Sequence, residues 1–206
     1  MIEHLLSFSL ATLVLALSPG PDNIYVLTQS LVNGSKSGIA TTAGLMTGCI
    51  IHTTLLAFGI SALITASEGL FYGIKVLGAL YLLYLAYKIY RDDTKISITS
   101  SAPKKSYSEL FKIGFIMNLV NPKVMIFFLA FFPAFLWNDS ENTIVQFYLL
   151  GLTFIVVSFL VFSSIALLSG TVSKFLLKKK SVGTILKWLQ ILVFIGIAIF
   201  ILIPKN

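Results

Sequence analysis

The sequence is short of charge, cysteine and histidine, and each shortage excludes a class of protein. Only 11% of the residues are charged and 57% are hydrophobic, whereas soluble domains average about 25% charged residues. A soluble globular fold is therefore excluded. The single cysteine, Cys49, leaves no intramolecular disulfide. Two histidines argue against a histidine-based metal site, so we predict no bound metal.

Six long hydrophobic runs take the place of a polar surface. They lie near residues 4–32, 39–65, 69–90, 112–135, 143–169 and 183–204. Each can cross a hydrocarbon core, which needs roughly 20 apolar residues. Helices are expected throughout, because an isolated strand cannot satisfy its backbone in lipid and no alternating pattern is present. We predict an all-α polytopic membrane protein with six transmembrane helices, built as a single membrane domain over residues 1–206.

The basic residues mark one side of the predicted membrane domain. The formal net charge is +7. Odd-numbered linkers carry the basic residues Lys36, Lys88, Arg91, Lys95, Lys104, Lys105, Lys112, Lys174, Lys178, Lys179 and Lys180. The positive-inside rule places these linkers in the cytoplasm and both termini outside. This charge pattern fits contact with the lipid bilayer better than binding of nucleic acid.

Two of the hydrophobic runs are interrupted by proline at corresponding positions. The first break is residues 18–22 (SPGPD) and the second is residues 121–123 (NPK). A polar linker at about 91–111 divides the chain into repeat 1 (about 1–90) and repeat 2 (about 112–206). Three helices in each half give the halves opposite orientations, so matched breaks in helices 1 and 4 predict an inverted-repeat transporter. Two unrelated proline kinks are the simpler alternative.

The breaks supply groups that suit a zwitterionic solute. Half-helices starting at Pro21 and Pro122 would expose backbone N–H groups to a carboxylate. Asp22, whose charge costs roughly 2.5–3.5 kcal/mol near the bilayer centre, would accept an ammonium group. Lys123 offers a second cation, and an Asp22–Lys123 contact is either part of the site or a structural ion pair. Asp22 is also a candidate proton carrier, because burial favours the neutral carboxyl.

Other polar and small residues complete the predicted site. The candidate substrate-binding and transport residues are Pro19, Gly20, Pro21, Asp22, Asn23, His52, Asn118, Asn121, Pro122 and Lys123. Asn23 and Asn118 would offer oxygen ligands, while His52 is either functional or a hydrogen-bonded packing residue. Gly44 and Gly48 share a helix face with His52 and favour close helix packing. The sequence leaves open whether Tyr81 and Tyr84 face the cavity. Ser158, Ser163 and Ser164 are interpreted as helix–helix contacts.

No P-loop, metal motif or set of nucleophile, base and acid is present, so the sequence favours a non-enzyme without a cofactor. Transport would then be driven by a gradient. The alternatives are a small-cation or metal exporter, a membrane-embedded enzyme and an assembly factor. Each of these would need residue clusters that the sequence does not contain.

Several motifs together resemble the lysine-exporter (LysE/RhtB-type) family. They are residues 18–22, residues 34–38 (GSKSG), the pattern Gly44-x-x-x-Gly48-x-x-x-His52 and residues 118–123 (NLVNPK). The resemblance implies export of amino acids or their derivatives from a bacterial cytoplasm across the inner membrane. It further implies coupling to the proton or membrane-potential gradient and a homodimer. The residues that it places in the functional core are Pro19, Gly20, Pro21, Asp22, Asn121, Pro122 and Lys123.

Overall fold

The computed structural model describes residues 1–18, 20–91, 102–138, 141–178 and 180–203. Over these ranges the chain is helical and contains no strand. The helices are α1 (Ile2–Leu17), α2 (Pro21–Asn33), α3 (Ser35–Ala66), α4 (Glu68–Arg91), α5 (Tyr107–Val120), α6 (Pro122–Phe131), a 3-10 turn (Phe132–Phe135), α7 (Thr143–Leu167), α8 (Ser169–Lys178) and α9 (Lys180–Leu202). The predicted all-α class is confirmed.

Three helices in the described ranges are long and apolar enough to cross a membrane: Ser35–Ala62, Gly69–Arg91 and Thr143–Leu167. Two bent pairs raise this number to five if each pair is one span. The α1–α2 pair bends by 60° and the α5–α6 pair by 55°. A shorter apolar helix, Lys187–Leu202, lies in the sixth hydrophobic run. The arrangement of six spans therefore stays a prediction.

Two boundaries differ from those that hydropathy predicts. Helix α5 begins at Tyr107 rather than near residue 112, because Ser106 caps it. The Ser106 hydroxyl accepts a hydrogen bond from the Glu109 backbone N–H, and the Glu109 carboxylate accepts one from the Ser106 N–H at 2.8 Å. This capping box satisfies two free donors and extends the helix into a polar segment. Helix α8 (Ser169–Lys178) likewise occupies part of the segment expected to be a linker between the fifth and sixth hydrophobic runs.

The helices pack so that elements far apart in the sequence become neighbours. Helix α3 lies along α5 and α7, α4 lies along α9, and α1 lies against α7. Phenylalanines fill the space between α1 and α6. The ring of Phe8 lies 5.0 Å from that of Phe132 and 5.2 Å from those of Phe131 and Phe135, all in fully or almost fully buried positions. These contacts hold the first half of the chain against the second.

Glycines allow α3 and α5 to approach closely. A Cβ at Gly44 would collide with the backbone carbonyl of Phe111, and a Cβ at Gly114 would collide with that of Thr41. Because backbone atoms cannot move aside as a flexible side chain can, both positions need glycine. Small residues at such crossings are typical of helix pairs in membranes, where close van der Waals contact provides the attraction.

Large apolar side chains cover the outer faces of these helices. Leu10, Leu55, Leu77, Leu152 and Leu192 are all exposed, and they belong to five different helices. Exposed apolar surface of this extent is incompatible with water and suits hydrocarbon chains of lipid. The polar groups described below are instead inside the helix assembly.

Candidate functional site

The first break separates α1 from α2. Helix α1 ends at Leu17, and α2 starts at Pro21 after an extended Gly20 with φ −151° and ψ 175°. Pro21 occupies the first helical position, where its missing N–H costs no helix hydrogen bond. This restart is the one predicted from the sequence. Pro19 lies outside the described residues.

Local side chains satisfy the backbone at this first break. The Ser18 hydroxyl donates to the Val14 carbonyl at 2.9 Å. The Asn23 amide donates to the Ala16 carbonyl at 2.7 Å, from the first turn of α2 back across the break. The Val14 carbonyl also accepts from the Ser18 backbone N–H, whereas the Ala16 carbonyl has no further helix N–H to pair with, so the Asn23 amide replaces that missing donor. The described hydrogen bonds that satisfy the end of α1 thus come from residues 18 and 23.

The second break separates α5 from α6 and relies on another helix. Asn121 ends α5, and Pro122 starts α6. Because Pro122 has no N–H, it cannot donate to the carbonyl of Asn118, one helical turn earlier, and the Asn121 backbone N–H donates to that carbonyl instead, at 3.2 Å. The Nε2 atom of His52 on α3 lies 3.2 Å from that oxygen. A carbonyl only accepts, so this hydrogen bond requires the proton on Nε2.

Helix α3 surrounds Asn118 with small and polar groups. The Asn118 side-chain amide donates to the Cys49 sulfur at 3.4 Å. A Cβ on Gly48 would lie 2.6 Å from Asn118 Oδ1, so only glycine leaves space for this side chain. His52 is buried and contacts the Phe128 ring at 5.4 Å between centroids. The Gly44-x-x-x-Gly48-x-x-x-His52 pattern therefore forms the surface that receives the second break.

The two breaks meet inside the helix assembly. The Asn121 side-chain amide donates to the Asp22 carboxylate at 3.4 Å, although 99 residues separate them. Asp22 lies in the first turn of α2, where the positive end of the helix dipole favours a carboxylate. Lys123 lies in the first turn of α6, but its side chain is outside the described part of the structure. The Asp22–Lys123 contact therefore remains a prediction.

A cavity of about 80 Å³ lies at this meeting point. Of the predicted site residues, its walls contain Gly20, Pro21, Asp22, Asn23, Asn118 and Asn121. Pro122, His52, Gly44 and Gly48 are not among the described lining residues: Gly48 and His52 contact Asn118, and Gly44 packs against Phe111 on α5. On α4 the lining residues are Leu82 and Leu85 rather than Tyr81 and Tyr84.

Sequence reasoning missed the apolar wall of the cavity and one polar residue in it. Phe154 and Phe162 on α7 and Phe194 on α9 line the cavity, together with Ser158. Phe154 and Phe162 lie four residues on either side of Ser158, which places all three on one helix face. Hydropathy alone does not reveal this face, because α7 is apolar on all sides.

Comparison with known proteins agrees with the motifs at the two breaks. The sequence model of the LysE type translocator family matches residues 13–205. The chain belongs to the LysE-type translocator family. The predicted resemblance is confirmed, and the family match covers both breaks and every helix that lines the cavity.

Relatives of this LysE-type translocator carry names of efflux proteins. The homoserine/homoserine lactone efflux protein of Salmonella typhimurium LT2 is 33% identical over 171 residues, covering 83% of this chain and 82% of the relative. The leucine efflux proteins of Salmonella choleraesuis SC-B67 and Salmonella paratyphi A are each 31% identical over 193 residues, covering 93% of this chain and 91% of the relative. No solved structure matches the chain.

Proposed function

We propose that this LysE-type translocator exports amino acids or close derivatives from the cytoplasm. The contact between Asn121 and Asp22 carries the proposal, because it joins the two breaks at one cavity. Broken helices with polar backbone facing a cavity are the usual binding sites of secondary transporters. Relatives named for homoserine and leucine efflux support amino acids as the solute class.

The site's chemistry suits the two charges of an amino acid. Helices α2 and α6 each begin at a proline next to the cavity, and their first turns carry backbone N–H groups that can bind a carboxylate. The Asp22 carboxylate accepts hydrogen bonds from an ammonium group, and Asn121 positions it. In this arrangement the main-chain part of the solute lies between the breaks. Its side chain points toward the remaining walls.

An inverted repeat of six transmembrane helices accounts for the packing. In this arrangement α1–α2 corresponds to α5–α6, α3 to α7, and α4 to α9. Helix α3 packs against α7 and α4 against α9, so each pairs with its counterpart. The α3–α5 contact has a counterpart in the contact between α7 and α1. Such reciprocal pairs are expected when two halves are related by a two-fold axis in the membrane plane.

The proposed orientation rests on the basic linkers, and the proposed energy source and assembly are those that the family resemblance implies. The basic odd-numbered linkers place both termini outside a bacterial inner membrane. Export is coupled to the proton or membrane-potential gradient, with Asp22 as the candidate proton carrier, and the working unit is a homodimer. No cofactor is required, since an ion gradient supplies the driving force.

Excretion from dipeptide-fed cells tests the proposal. Cells that express the protein should release at least one amino acid faster than cells that lack it. Asp22→Asn keeps an acceptor for Asn121 but removes the charge, so export should fall about tenfold or more, as expected for losing one charge-assisted hydrogen bond. Glu3→Gln makes the same change at an exposed position of α1 and should leave export intact.

Two results would count against the proposal. If none of the twenty amino acids, homoserine or its lactone is released faster with the protein than without it, amino-acid export is wrong. If Asp22→Asn and Lys123→Ala both export at the wild-type rate, the protein remains an exporter but the zwitterion site at the breaks is wrong. Membrane-protein yield measured for each variant separates loss of transport from loss of folding.

A further inference from the structure

Ser158 and Ser163 are the described residues of α7 whose buried hydroxyls have no hydrogen-bond partner. Thr153 and Ser164 donate to the carbonyl four residues earlier, at 2.8 and 2.7 Å, as serine and threonine commonly do inside helices. The Ser158 hydroxyl makes no such bond and has no hydrogen-bond partner in the described structure, although the residue is only 2% exposed. A buried hydroxyl without a partner is costly, so it calls for an explanation.

The position of Ser158 supplies that explanation. The side chain lines the cavity between Phe154 and Phe162, which are one turn away on either side. The other described polar side chains of the lining are Ser18, Asp22, Asn23, Asn118 and Asn121, all in or next to the two breaks. From the described parts of α4, α7 and α9 the lining is apolar except for Ser158. Apart from Ser158, the described polar side chains therefore come from the breaks, while α4, α7 and α9 contribute apolar ones; α1, α3 and α6 add further apolar residues such as Leu15, Leu45 and Phe127.

This division decides which part of a solute reaches Ser158. If the main-chain charges of an amino acid bind at the breaks, its side chain extends toward α4, α7 and α9. We propose that Ser158 is the specificity-determining residue of the cavity, and that its hydroxyl pairs with a hydroxyl group on a short, neutral solute side chain. The inference rests on the proposed export function. The phenylalanine rings beside Ser158 accommodate the carbon atoms of such a side chain and disfavour a charged one.

A hydrogen-bonding residue in an apolar wall distinguishes solutes by whether they carry a hydrogen-bonding group at that position. An isosteric solute without the hydroxyl would leave Ser158 unpaired in the occupied cavity and bind less well. If Ser158 had a purely structural role, its substitution would instead change the export of all solutes equally. The informative quantity is therefore the ratio of export rates for a hydroxylated amino acid and its apolar isostere. The yield of folded protein cancels from this ratio.

Threonine with valine, and homoserine with norvaline, form suitable isosteric pairs. Wild-type protein in proteoliposomes should prefer the hydroxylated member of each pair by about tenfold, the usual consequence of one unpaired buried group. Ser158→Ala should reduce the ratio to about one. Ser158→Thr retains a hydroxyl and should preserve the preference, while Ser158→Cys, a weak hydrogen-bond partner of similar size, should lose most of it.

Ser163→Ala is the matched control. Ser163 also has a buried hydroxyl without a partner in the described structure, but it lies outside the cavity lining. Its substitution should leave both ratios unchanged. The inference is wrong if Ser158→Ala keeps the wild-type ratios, if Ser163→Ala lowers them equally, or if wild-type protein exports amino acids without preferring the hydroxylated isostere. If wild-type protein moves no amino acid at all, the proposed export function itself is wrong.

Discussion

Both helix breaks line the cavity, but different residues satisfy their backbone carbonyls. At the first break, Asn23 and Ser18 satisfy carbonyls of the adjoining helix α1. At the second, the Asn118 carbonyl accepts hydrogen bonds from the Asn121 backbone N–H and from His52 on α3. The second break thus receives a side-chain donor from a neighbouring helix, whereas the described bonds to the end of α1 come from residues of the first break; Asn121 and Asp22 join the two breaks. Any movement of α5 relative to α3 must disrupt the His52 bond, whereas the hydrogen bonds of the first break do not involve α3.

Because of this difference, we expect substitutions at the two breaks to affect different properties of the protein. The second break is fixed on α3 by glycine packing and a cross-helix hydrogen bond, so substitutions there should mainly reduce folding stability. Both breaks line the cavity, and at the first the side chain of Asn23 does so beside Asp22, so its substitution should mainly affect transport. The following substitutions test this comparison, beginning with the largest expected change in stability.

Gly48→Ala should cause the largest loss of stability. The new methyl would lie 2.6 Å from Asn118 Oδ1, which forces Asn118 and its carbonyl away from His52. Overpacking of this kind costs about 1–3 kcal/mol. Chemical unfolding in detergent micelles measures the free energy of unfolding. Gly59→Ala on the same helix has nothing within 4 Å of the new methyl and should be neutral. Equal stability of the two variants would show that α3 does not hold the second break.

His52→Leu should cost somewhat less, about 0.5–1.5 kcal/mol, because the buried Asn118 carbonyl loses its side-chain donor and keeps the Asn121 backbone N–H. His52→Gln places an amide donor at the same position and should recover part of the loss. Unfolding free energies of the three proteins give the comparison. If leucine is tolerated as well as histidine, then the hydrogen bond contributes nothing and the two breaks do not differ in support.

Asn23→Ala should reduce export more than it reduces stability. Its hydrogen bond to Ala16 lies beside the cavity, where water can replace the lost donor, so stability should fall by only about 0.5–1 kcal/mol. The export rate should fall about fivefold or more, since the end of α1 and the start of α2 lose their connection at the site. The unfolding free energy and the export rate of this variant should be measured in the same preparation. A loss of stability that exceeds the loss from His52→Leu would reverse the comparison.

Cys49→Ala should have the smallest effect. The Cys49 thiol accepts a long hydrogen bond of 3.4 Å from Asn118, and sulfur is a weak acceptor. We expect a change of less than about 0.5 kcal/mol in unfolding free energy and normal export. Cys49→Ser offers a stronger acceptor and serves as the control. A large loss in Cys49→Ala would mean that the thiol, rather than His52, positions Asn118.

Local sequence rules predicted the helix restarts but not their partners. Proline preference for the first helical position is a property of the chain itself, so Pro21 and Pro122 could be assigned directly. The capping box at Ser106 was also readable, but hydropathy placed the start of α5 too late. The His52 contact with Asn118 and the unpaired hydroxyl of Ser158 depend on how helices pack. Residue spacing within a single helix contains no information on these neighbours.

The central claim is that the breaks face each other across one site. Cysteines at positions 22 and 121, introduced together with Cys49→Ala, test it in native membranes with a short bifunctional thiol reagent. The 3.4 Å contact between Asp22 and Asn121 predicts efficient intramolecular cross-linking, and a control pair at positions 3 and 121 should not react. Failure of the 22–121 pair to cross-link, with both thiols shown to be reactive, would contradict the account.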